Sequence, residues 1–362
     1  MRSSGGEYYV GLDHVRALAA FLVFNWHFMY INKGNVTPLE GTFDIFLFSL
    51  FAEGHTGVSV FMVLSGYLFA KITNKQNLDY PKFLRARALR LLPLLLAVAA
   101  LVVLRDTVQG GAASGLNALR DIGQGVVLPT LPNGGWSITV EFHFYLLFPL
   151  LVLLERRFRG AAAIVLLMAL VGRLLLFVFS ETGATLQYVS YGTIFGRIDQ
   201  FIIGMLVAYY GQFLARKHLI AVAAAASVFA LYHVFDRWGG LISNTGHPEV
   251  WIYLLTVEGL CYGVLIGWYD RSFAFRDVGL SGLIAKVGAA SYSIYLLHIF
   301  VVFGMARFVD RHLVSLDTFT LAFLASIVCF VPVAFAGWLS YRYFESYWLQ
   351  FRVPYVVPVS HN

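Results

Sequence analysis

Two ionisable residues, Arg16 and His27, interrupt the first long apolar segment of the sequence. They are eleven positions apart, which amounts to about three turns of α-helix and a rise of roughly 16 Å, so both side chains share one helix face without touching. An ionisable side chain inside a membrane span is costly and commonly marks a pathway or a reaction site. The spacing fits an elongated ligand whose anionic end lies at Arg16 and whose reactive end lies at His27. A histidine that only packs against neighbouring helices is the alternative.

Glu141 is expected at the depth of His27, since it lies near the start of a later apolar segment that enters from the outer side. A carboxylate beside an imidazole can fix the imidazole tautomer and raise its basicity. We therefore predict that Glu141 orients His27. A structural hydrogen bond between Glu141 and another helix is the alternative.

Further charged residues, Arg173, Arg197 and Asp199, fall at the same depth in other apolar segments. Together with the histidine of the first segment they outline a polar cavity in the outer half of the membrane. Capping or interfacial roles for Arg197 and Asp199 are the alternative. Glu258 and His298 are additional candidates, which either line this cavity or bond neighbouring helices.

The composition places these residues in a membrane. Hydrophobic residues make up 59% of the chain and charged residues only 13%, whereas about a quarter of the residues in a soluble domain are charged. The alternating pattern of a membrane barrel is missing, so we predict an all-α polytopic helical bundle. Ten apolar stretches can each cross a bilayer of roughly 30 Å as a helix. They are residues 10–31, 44–72, 88–104, 137–154, 161–179, 197–211, 219–235, 250–268, 287–306 and 318–341.

The net charge of +6 follows the expected topology and does not indicate a nucleic-acid partner. If the N-terminus is inside, the even-numbered loops hold fourteen Lys and Arg residues and the odd-numbered loops hold six. Because short inside loops carry the excess of Lys and Arg, both termini are predicted to be cytoplasmic. Residues 10–348 then form one transmembrane domain between an N-terminal tail, 1–9, and a C-terminal tail, 349–362.

The second loop is the most basic, and it contains Arg87 and Arg90. These residues are three apart and therefore lie on one face of a helix. We predict that they bind the phosphates of an anionic cofactor, and topology control alone is the alternative.

Six motifs in chain order resemble the acyltransferase-3 family of integral membrane acyltransferases, over about residues 10–345. They are Leu12-Asp13-x-x-Arg16 with His27, GVSVFMVLSGYLF, RARALRLLP, Trp136-Ser137-x-x-x-Glu141-x-x-Phe144-Tyr145, Arg197-x-Asp199-x-Phe201-x-x-Gly204, and Ser291-Tyr292-x-x-Tyr295-Leu296-x-His298. The family usually has a proline two residues after a late glutamate. This chain has Ser346 and Tyr347 after Glu345, so its last helix is expected to end differently.

The resemblance implies an O-acyltransferase that moves an acyl group, most often acetyl, from cytoplasmic acyl-coenzyme A without a metal. The acceptor would be a hydroxyl of a cell-surface glycan, a lipid-linked sugar or a glycosylated small molecule. Arg16, Arg87 and Arg90 would hold the donor phosphates. We expect this chain, which shows no esterase-like domain, to complete the transfer itself or to pass the acyl group to a partner.

In this interpretation His27, oriented by Glu141, is the general base, and Arg197 or Arg173 stabilises the oxyanion. Asp199 belongs to the same predicted catalytic group. The predicted substrate-binding residues are Arg173, Tyr145 and His298. An acyl-histidine intermediate would explain the same residues.

The expected location is the bacterial inner membrane, with membrane lipids, acyl-coenzyme A and the acceptor as partners and a homo-oligomer left open. The competing interpretation is a proton-coupled transporter or flippase, whose intramembrane His, Arg and Glu residues relay protons or bind a charged solute. Such proteins often show inverted repeats and broken helices, and neither is evident in the sequence.

Overall fold

A computed structural model describes residues 8–30, 46–74, 76–179, 183–241 and 247–358 and confirms an all-α bundle. In chain order the α-helices are α1 (Val10–Met29), α2 (Ser49–Ala52), α3 (Gly57–Thr73), α4 (Tyr80–Gln124), α5 (Trp136–Arg157), α6 (Ala161–Phe179), α7 (Gly183–Gly192), α8 (Ile194–Tyr210), α9 (His218–Arg237), α10 (Val250–Ser272), α11 (Gly279–Ala289), α12 (Ser291–His312), α13 (Phe319–Ser340) and α14 (Ser346–Leu349). Shorter elements are 3₁₀ turns at Gly54–Thr56 and Gly211–Leu214, a π turn at Tyr341–Glu345, and the strands β1 (Gln76–Leu78) and β2 (Val356–Pro358).

Within the described ranges, eight helical segments are long and apolar enough to cross a membrane. They correspond to eight of the ten predicted spans. The other two predictions, 10–31 and 197–211, coincide with α1 and with α8, which has only 17 residues. Most residues of both helices are buried by neighbouring helices. Their polar side chains therefore face protein instead of lipid, which lets these helices be less apolar than the rest.

The basic even-numbered loops meet at one end of the bundle, called here the basic end. Nη2 of Arg156, at the end of α5, donates to the carbonyl oxygen of Thr73, at the end of α3, over 2.8 Å. Nζ of Lys71 lies 2.6 Å from Oδ2 of Asp270, near the end of α10. This matches the alternating helix directions expected from the charge pattern. That the basic end faces the cytoplasm stays a prediction.

Helices α3 and α8 approach each other unusually closely. A Cβ atom at Gly66 would lie 1.9 Å from the carbonyl oxygen of Phe201, and one at Gly204 would lie 2.0 Å from that of Val63. Small residues allow this approach between membrane helices, where dispersion contacts replace the hydrophobic effect as the driving force. The ring of Phe201 also stacks on Phe144 of α5, with centroids 4.0 Å apart. Helix α8 is therefore at the centre of the packing.

The α4 helix extends beyond its predicted span, 88–104, as far as Gln124, with a kink at Gly111. At Gly111 the φ angle is +78°, a left-handed conformation that favours glycine. The two parts of α4 are thus separate helical rods, and the first one carries the arginines of the basic loop.

The chain returns to the start of α4 after its last helix. Strand β2 pairs with β1 in antiparallel register, with Leu78 opposite Val356. The backbone N–H of Asp79 donates to the carbonyl oxygen of Tyr355 over 2.8 Å. The Tyr355 side chain is only 3% exposed, so the described part of the predicted C-terminal tail packs against the bundle.

Replacing Gly66 by alanine is expected to lower the melting temperature of the detergent-solubilised protein, because the added methyl group meets the backbone of α8. Overpacking of this kind costs about 1–3 kcal/mol. The matched control is Gly172→Ala on α6, where an added Cβ meets none of the described atoms within 4 Å. Equal melting temperatures for the two variants would contradict the close packing of α3 on α8.

Candidate active site

Two histidines from different helices form a pair inside the bundle. Nε2 of His298, on α12, lies 3.2 Å from Nδ1 of His27, on α1. The ring centroids are 4.9 Å apart and the rings meet edge to face. His298 is 2% exposed, whereas His27 is partly accessible. The structure therefore gives the predicted base a partner from the last of the sequence motifs.

Backbone carbonyls fix the tautomers of this histidine pair. Nδ1 of His27 lies 2.8 Å from the carbonyl oxygen of Val23, and Nδ1 of His298 lies 2.7 Å from that of Tyr295. A carbonyl oxygen can only accept, so each Nδ1 carries the proton. Nε2 of His298 then accepts a share of the His27 proton. Nε2 of His27 keeps its lone pair and makes no hydrogen bond with any described residue, so it is available as a base.

Aromatic rings surround the pair. Trp26 and Phe303 contact the His27 ring at centroid distances of 4.7 and 6.1 Å. Tyr295 lies 6.0 Å from the His298 ring. These side chains limit the access of water to the imidazoles, which strengthens electrostatic interactions at this point.

Glu141 has other partners than the predicted one. Its Oε1 accepts a hydrogen bond from Oγ of Ser65 over 3.1 Å and another from the hydroxyl of Tyr145. The structure thus corrects the expected pairing of Glu141 with His27. The reason is that α1 and α5 have different neighbouring helices. Helix α5 packs on α3 and α8, whereas α1 packs on α3, α11, α12 and α13. It is α12 that brings a polar side chain to His27.

A cavity of about 440 Å³ runs inward from the basic end, between α1, α3, α4, α5 and α12. The part of the cavity at the basic end is lined by the arginine cluster, which comprises Arg16, Arg87, Arg90 and Arg352. Its deeper part is lined by polar side chains, namely Ser65, Ser137, Glu141, Tyr145 and Tyr295. The carbonyl oxygen of Tyr295 binds the Nδ1 of His298. The cavity therefore extends from the arginine cluster to Tyr295, which contacts His298, and neither histidine of the pair lines it.

The arginines of the cluster differ in their partners. Arg16 forms an ion pair with Asp13 of the same helix, and Nη1 of Arg90 lies 2.7 Å from Oε2 of Glu345. The Arg87 guanidinium lies 4.9 Å above the Phe69 ring, and its buried Nε atom has no hydrogen-bond partner among the described residues. The predicted donor-binding residues are thus brought together, with excess positive charge.

The fourth arginine, Arg352, was not predicted from the sequence, because it follows the last apolar segment in what was expected to be a tail. Burial first, and then the neighbouring charges of Arg87 and Arg90, lower the pKa of Arg352 to about 10. The guanidinium is still protonated near neutral pH. The lowered pKa reflects burial first and the neighbouring positive charges second, and an anionic ligand would offset both effects.

Arg173 and Asp199 lie outside the cavity. Nη2 of Arg173 is 2.7 Å from Oδ2 of Asp199, and both side chains are at most 1% exposed. Nη1 of Arg173 donates to the carbonyl oxygen of Gly196, and Oγ1 of Thr256 bonds the same carboxylate. This buried pair joins α6, α8 and α10, so we no longer assign substrate binding to Arg173 or catalysis to Asp199.

Arg197 is likewise fully buried and tied to its neighbours. Its Nη1 donates to Oγ of Ser59 over 2.7 Å and lies 3.7 Å from Oε1 of Glu258. Glu258 also accepts hydrogen bonds from Thr56 and Gln200, both over 2.8 Å. The network links α3, α8 and α10, and none of its charged groups lines the cavity. Nη2 of Arg197 has no hydrogen-bond partner among the described residues, and an oxyanion-stabilising role for Arg197 stays a prediction.

Comparison with known proteins adds a family to this geometry. A family model described as an acyltransferase domain matches residues 9–341. The exopolysaccharide production protein ExoZ of Rhizobium meliloti is 28% identical over 71% of this chain and 79% of its own length. The O-acetyltransferase OatA of Staphylococcus aureus is 24% identical over 94% of this chain, which spans 57% of that protein. No solved structure shows significant similarity to the chain.

Breaking the buried ion pair between Arg173 of α6 and Asp199 of α8 is expected to destabilise the protein. Asp199→Ala leaves the Arg173 guanidinium buried without its carboxylate, a change that costs about 3–5 kcal/mol. The apparent melting temperature in detergent should fall well below that of Asp317→Ala, which removes an exposed carboxylate. The double variant Arg173→Met with Asp199→Leu should recover much of the loss, because it removes both charges. A single variant as stable as the control would show that the pair does not hold these helices.

Proposed function

Because this chain belongs to the acyltransferase-3 family of integral membrane acyltransferases, we propose that it transfers an acetyl group from acetyl-coenzyme A to a hydroxyl of a glycan. The observation that carries the proposal is the cavity that extends from the arginine cluster to Tyr295, whose carbonyl oxygen binds Nδ1 of His298. One elongated ligand can be held there by its anionic groups and react at its opposite end.

The arginine cluster supports a donor that carries several phosphates. Guanidinium groups present a planar set of N–H donors that matches phosphate oxygens and stays charged at all physiological pH values. The basic end is also the end that the charge rule assigns to the cytoplasm, where acyl-coenzyme A is made available. We therefore propose an orientation in the bacterial inner membrane with the arginine cluster inside.

In this proposal Glu141 binds the donor and does not orient His27. Both hydrogen bonds of Glu141 within the described structure use Oε1, so Oε2 has no hydrogen-bond partner among the described residues, and the residue lines the cavity. A carboxylate oxygen accepts hydrogen bonds from amide N–H groups, and the pantetheine arm of coenzyme A contains two amides. Glu141 would hold this arm midway between the arginine cluster and the histidine pair.

The proposed chemistry takes place at Nε2 of His27. This atom accepts the proton of the acceptor hydroxyl while the hydroxyl oxygen attacks the thioester carbonyl. A C–O bond forms and the C–S bond breaks, so the electron pair leaves with the thiolate of coenzyme A. The His27 imidazolium then returns the proton to this thiolate. An acyl-histidine formed by direct attack of Nε2 on the thioester uses the same lone pair and is the alternative route.

The proposed acceptor is supported by the names of the related proteins and by the position of His27. The names of ExoZ and OatA refer to exopolysaccharide production and to O-acetylation. His27 lies toward the outer side in the proposed orientation and is partly accessible. We propose a cell-surface glycan, a lipid-linked sugar or a glycosylated small molecule that reaches His27 from that side.

The test is acyl transfer by membranes that contain the protein. Labelled acetyl-coenzyme A should give an ester product, and surface glycans from producing cells should gain the mass of an acetyl group by mass spectrometry. Uptake of a labelled solute without any ester would instead support the transporter interpretation.

His27→Ala is expected to reduce acetyl transfer by at least about a hundredfold, the lower range for loss of a general base. His298→Ala should lower kcat as well, because the Nδ1 proton of His27 loses one of its two acceptors. The matched control is His312→Ala, an exposed histidine on the same helix. Rates are measured on variants with wild-type melting temperatures. Full activity of a folded His27→Ala variant would refute the mechanism.

Glu141→Gln is expected to raise the KM for acetyl-coenzyme A, because the amide is a weaker acceptor than the carboxylate. The pH dependence of kcat should stay unchanged, since His298 and Val23 orient His27. Steady-state kinetics across the pH range measure both quantities. A displaced pH profile with an unchanged KM would return Glu141 to the role of partner of His27.

A further inference from the structure

The chain from the end of α14 onwards lies beyond the family match, which ends at residue 341. Residues 349–358, called here the C-terminal strap, cross the basic end and pair with β1 through β2. The strap is anchored at both ends: Leu349 is 8% exposed and Tyr355 is 3% exposed. The Tyr355 ring meets the Phe83 ring of α4 edge to face at 5.3 Å.

The strap forms part of the cavity wall. Its lining residues are Leu349, Arg352, Val353, Pro354 and Tyr355. The Arg87 guanidinium lies 5.6 Å from the Tyr355 ring, so the strap also packs on the arginine of the second loop. Arg352 is therefore held at the basic end of the cavity by the anchors on either side of it.

The arginine cluster contains more positive charges than carboxylates that pair with them. Asp13 and Glu345 form ion pairs with Arg16 and Arg90. Among the described residues no carboxylate lies within ion-pair distance of Arg87 or Arg352. Within the described structure, Nε of Arg352 donates to the carbonyl oxygen of Leu349 over 3.3 Å. The guanidinium groups of Arg87 and Arg352, which line the cavity, thus have no ion-pair partner among the described residues.

Like charges that are half-buried together raise the free energy of the site, as the lowered pKa of Arg352 reports. An anion that bridges the guanidinium groups removes this repulsion and forms charge-assisted hydrogen bonds. A phosphate group satisfies both requirements, because its oxygens can accept from two arginines at once.

We propose that Arg352 is a donor-binding residue, which the C-terminal strap brings to Arg87 so that the two guanidinium groups bind a phosphate of the acyl donor. This inference rests on the proposed function, in which the donor is acetyl-coenzyme A. It adds a phosphate contact from a part of the chain outside the family match.

The test compares a donor with phosphates and a donor without them. Arg352→Gln is expected to raise the KM for acetyl-coenzyme A about tenfold, as expected for a lost charge-assisted hydrogen bond. The KM for S-acetylpantetheine, which has no phosphate, should not change. Arg352→Lys should restore part of the loss. The matched control is Arg342→Gln, an exposed arginine near the end of α13.

A measurement on the wild-type protein avoids any folding defect of the variant. Trypsin cleavage after Arg352, followed by mass spectrometry, should slow in the presence of coenzyme A and not in the presence of pantetheine. Equal protection by both compounds would overturn the inference.

The kinetic outcomes separate this inference from the proposed function. An Arg352→Gln variant that equals the control with acetyl-coenzyme A would overturn the inference, and the proposed function would stand. A similar loss with both donors would assign Arg352 a packing role and would overturn it as well. If the wild-type protein transfers acetyl groups from neither donor, the proposed function itself fails.

Discussion

The charged groups buried on α8 constrain the whole bundle. Inside a membrane an unpaired charge is costly, so the pairing of Arg173 with Asp199 and the hydrogen-bonded network of Arg197 and Glu258 allow few arrangements of the surrounding helices. The low local dielectric makes each displacement expensive, because a lost partner is not replaced by water. Helix α3 bonds Arg197 through Ser59, and it packs on the backbone of α8 at Gly66, which lacks a side chain. The positions of α3, α6 and α10 therefore depend on α8.

Helix α3 connects the packing around α8 with the candidate active site. On one side a Cβ at Gly57 would lie 2.4 Å from the carbonyl oxygen of Ala19, so α1 is packed closely against it. On another side Ser65 bonds Glu141 of α5. The distance between the cavity and His27 is consequently set by the packing of α3, although α3 contributes no member of the histidine pair. Residues that never meet the substrate can thus determine whether donor and base are aligned.

The sequence predicts the positions of the long helices well and their lateral neighbours poorly. Each of the ten predicted spans overlaps a described helix, because hydropathy depends on position along a single helix, whereas α7 and α11 were not predicted as separate helices. Hydropathy and loop charges placed Glu141 near the depth of His27, but which helix lies beside α1 depends on packing that no single segment encodes. The motif that contains His298 was recognised, and its contact with His27 was not. Arg352 was missed because neither apolar periodicity nor a motif marks the strap.

In the proposed mechanism the histidine pair orients the base without a carboxylate beside it. A carboxylate next to His27 would stabilise the imidazolium strongly in this poorly hydrated environment and would hold its proton. The neutral acceptors that bind Nδ1, the Val23 carbonyl and Nε2 of His298, orient the ring without adding a negative charge. The imidazolium formed during transfer is then only weakly stabilised. A thiolate leaving group can take the proton back readily, since a thiol is a much weaker acid than an imidazolium. In the proposed mechanism His27 therefore returns its proton to the thiolate of coenzyme A once the C–S bond has broken.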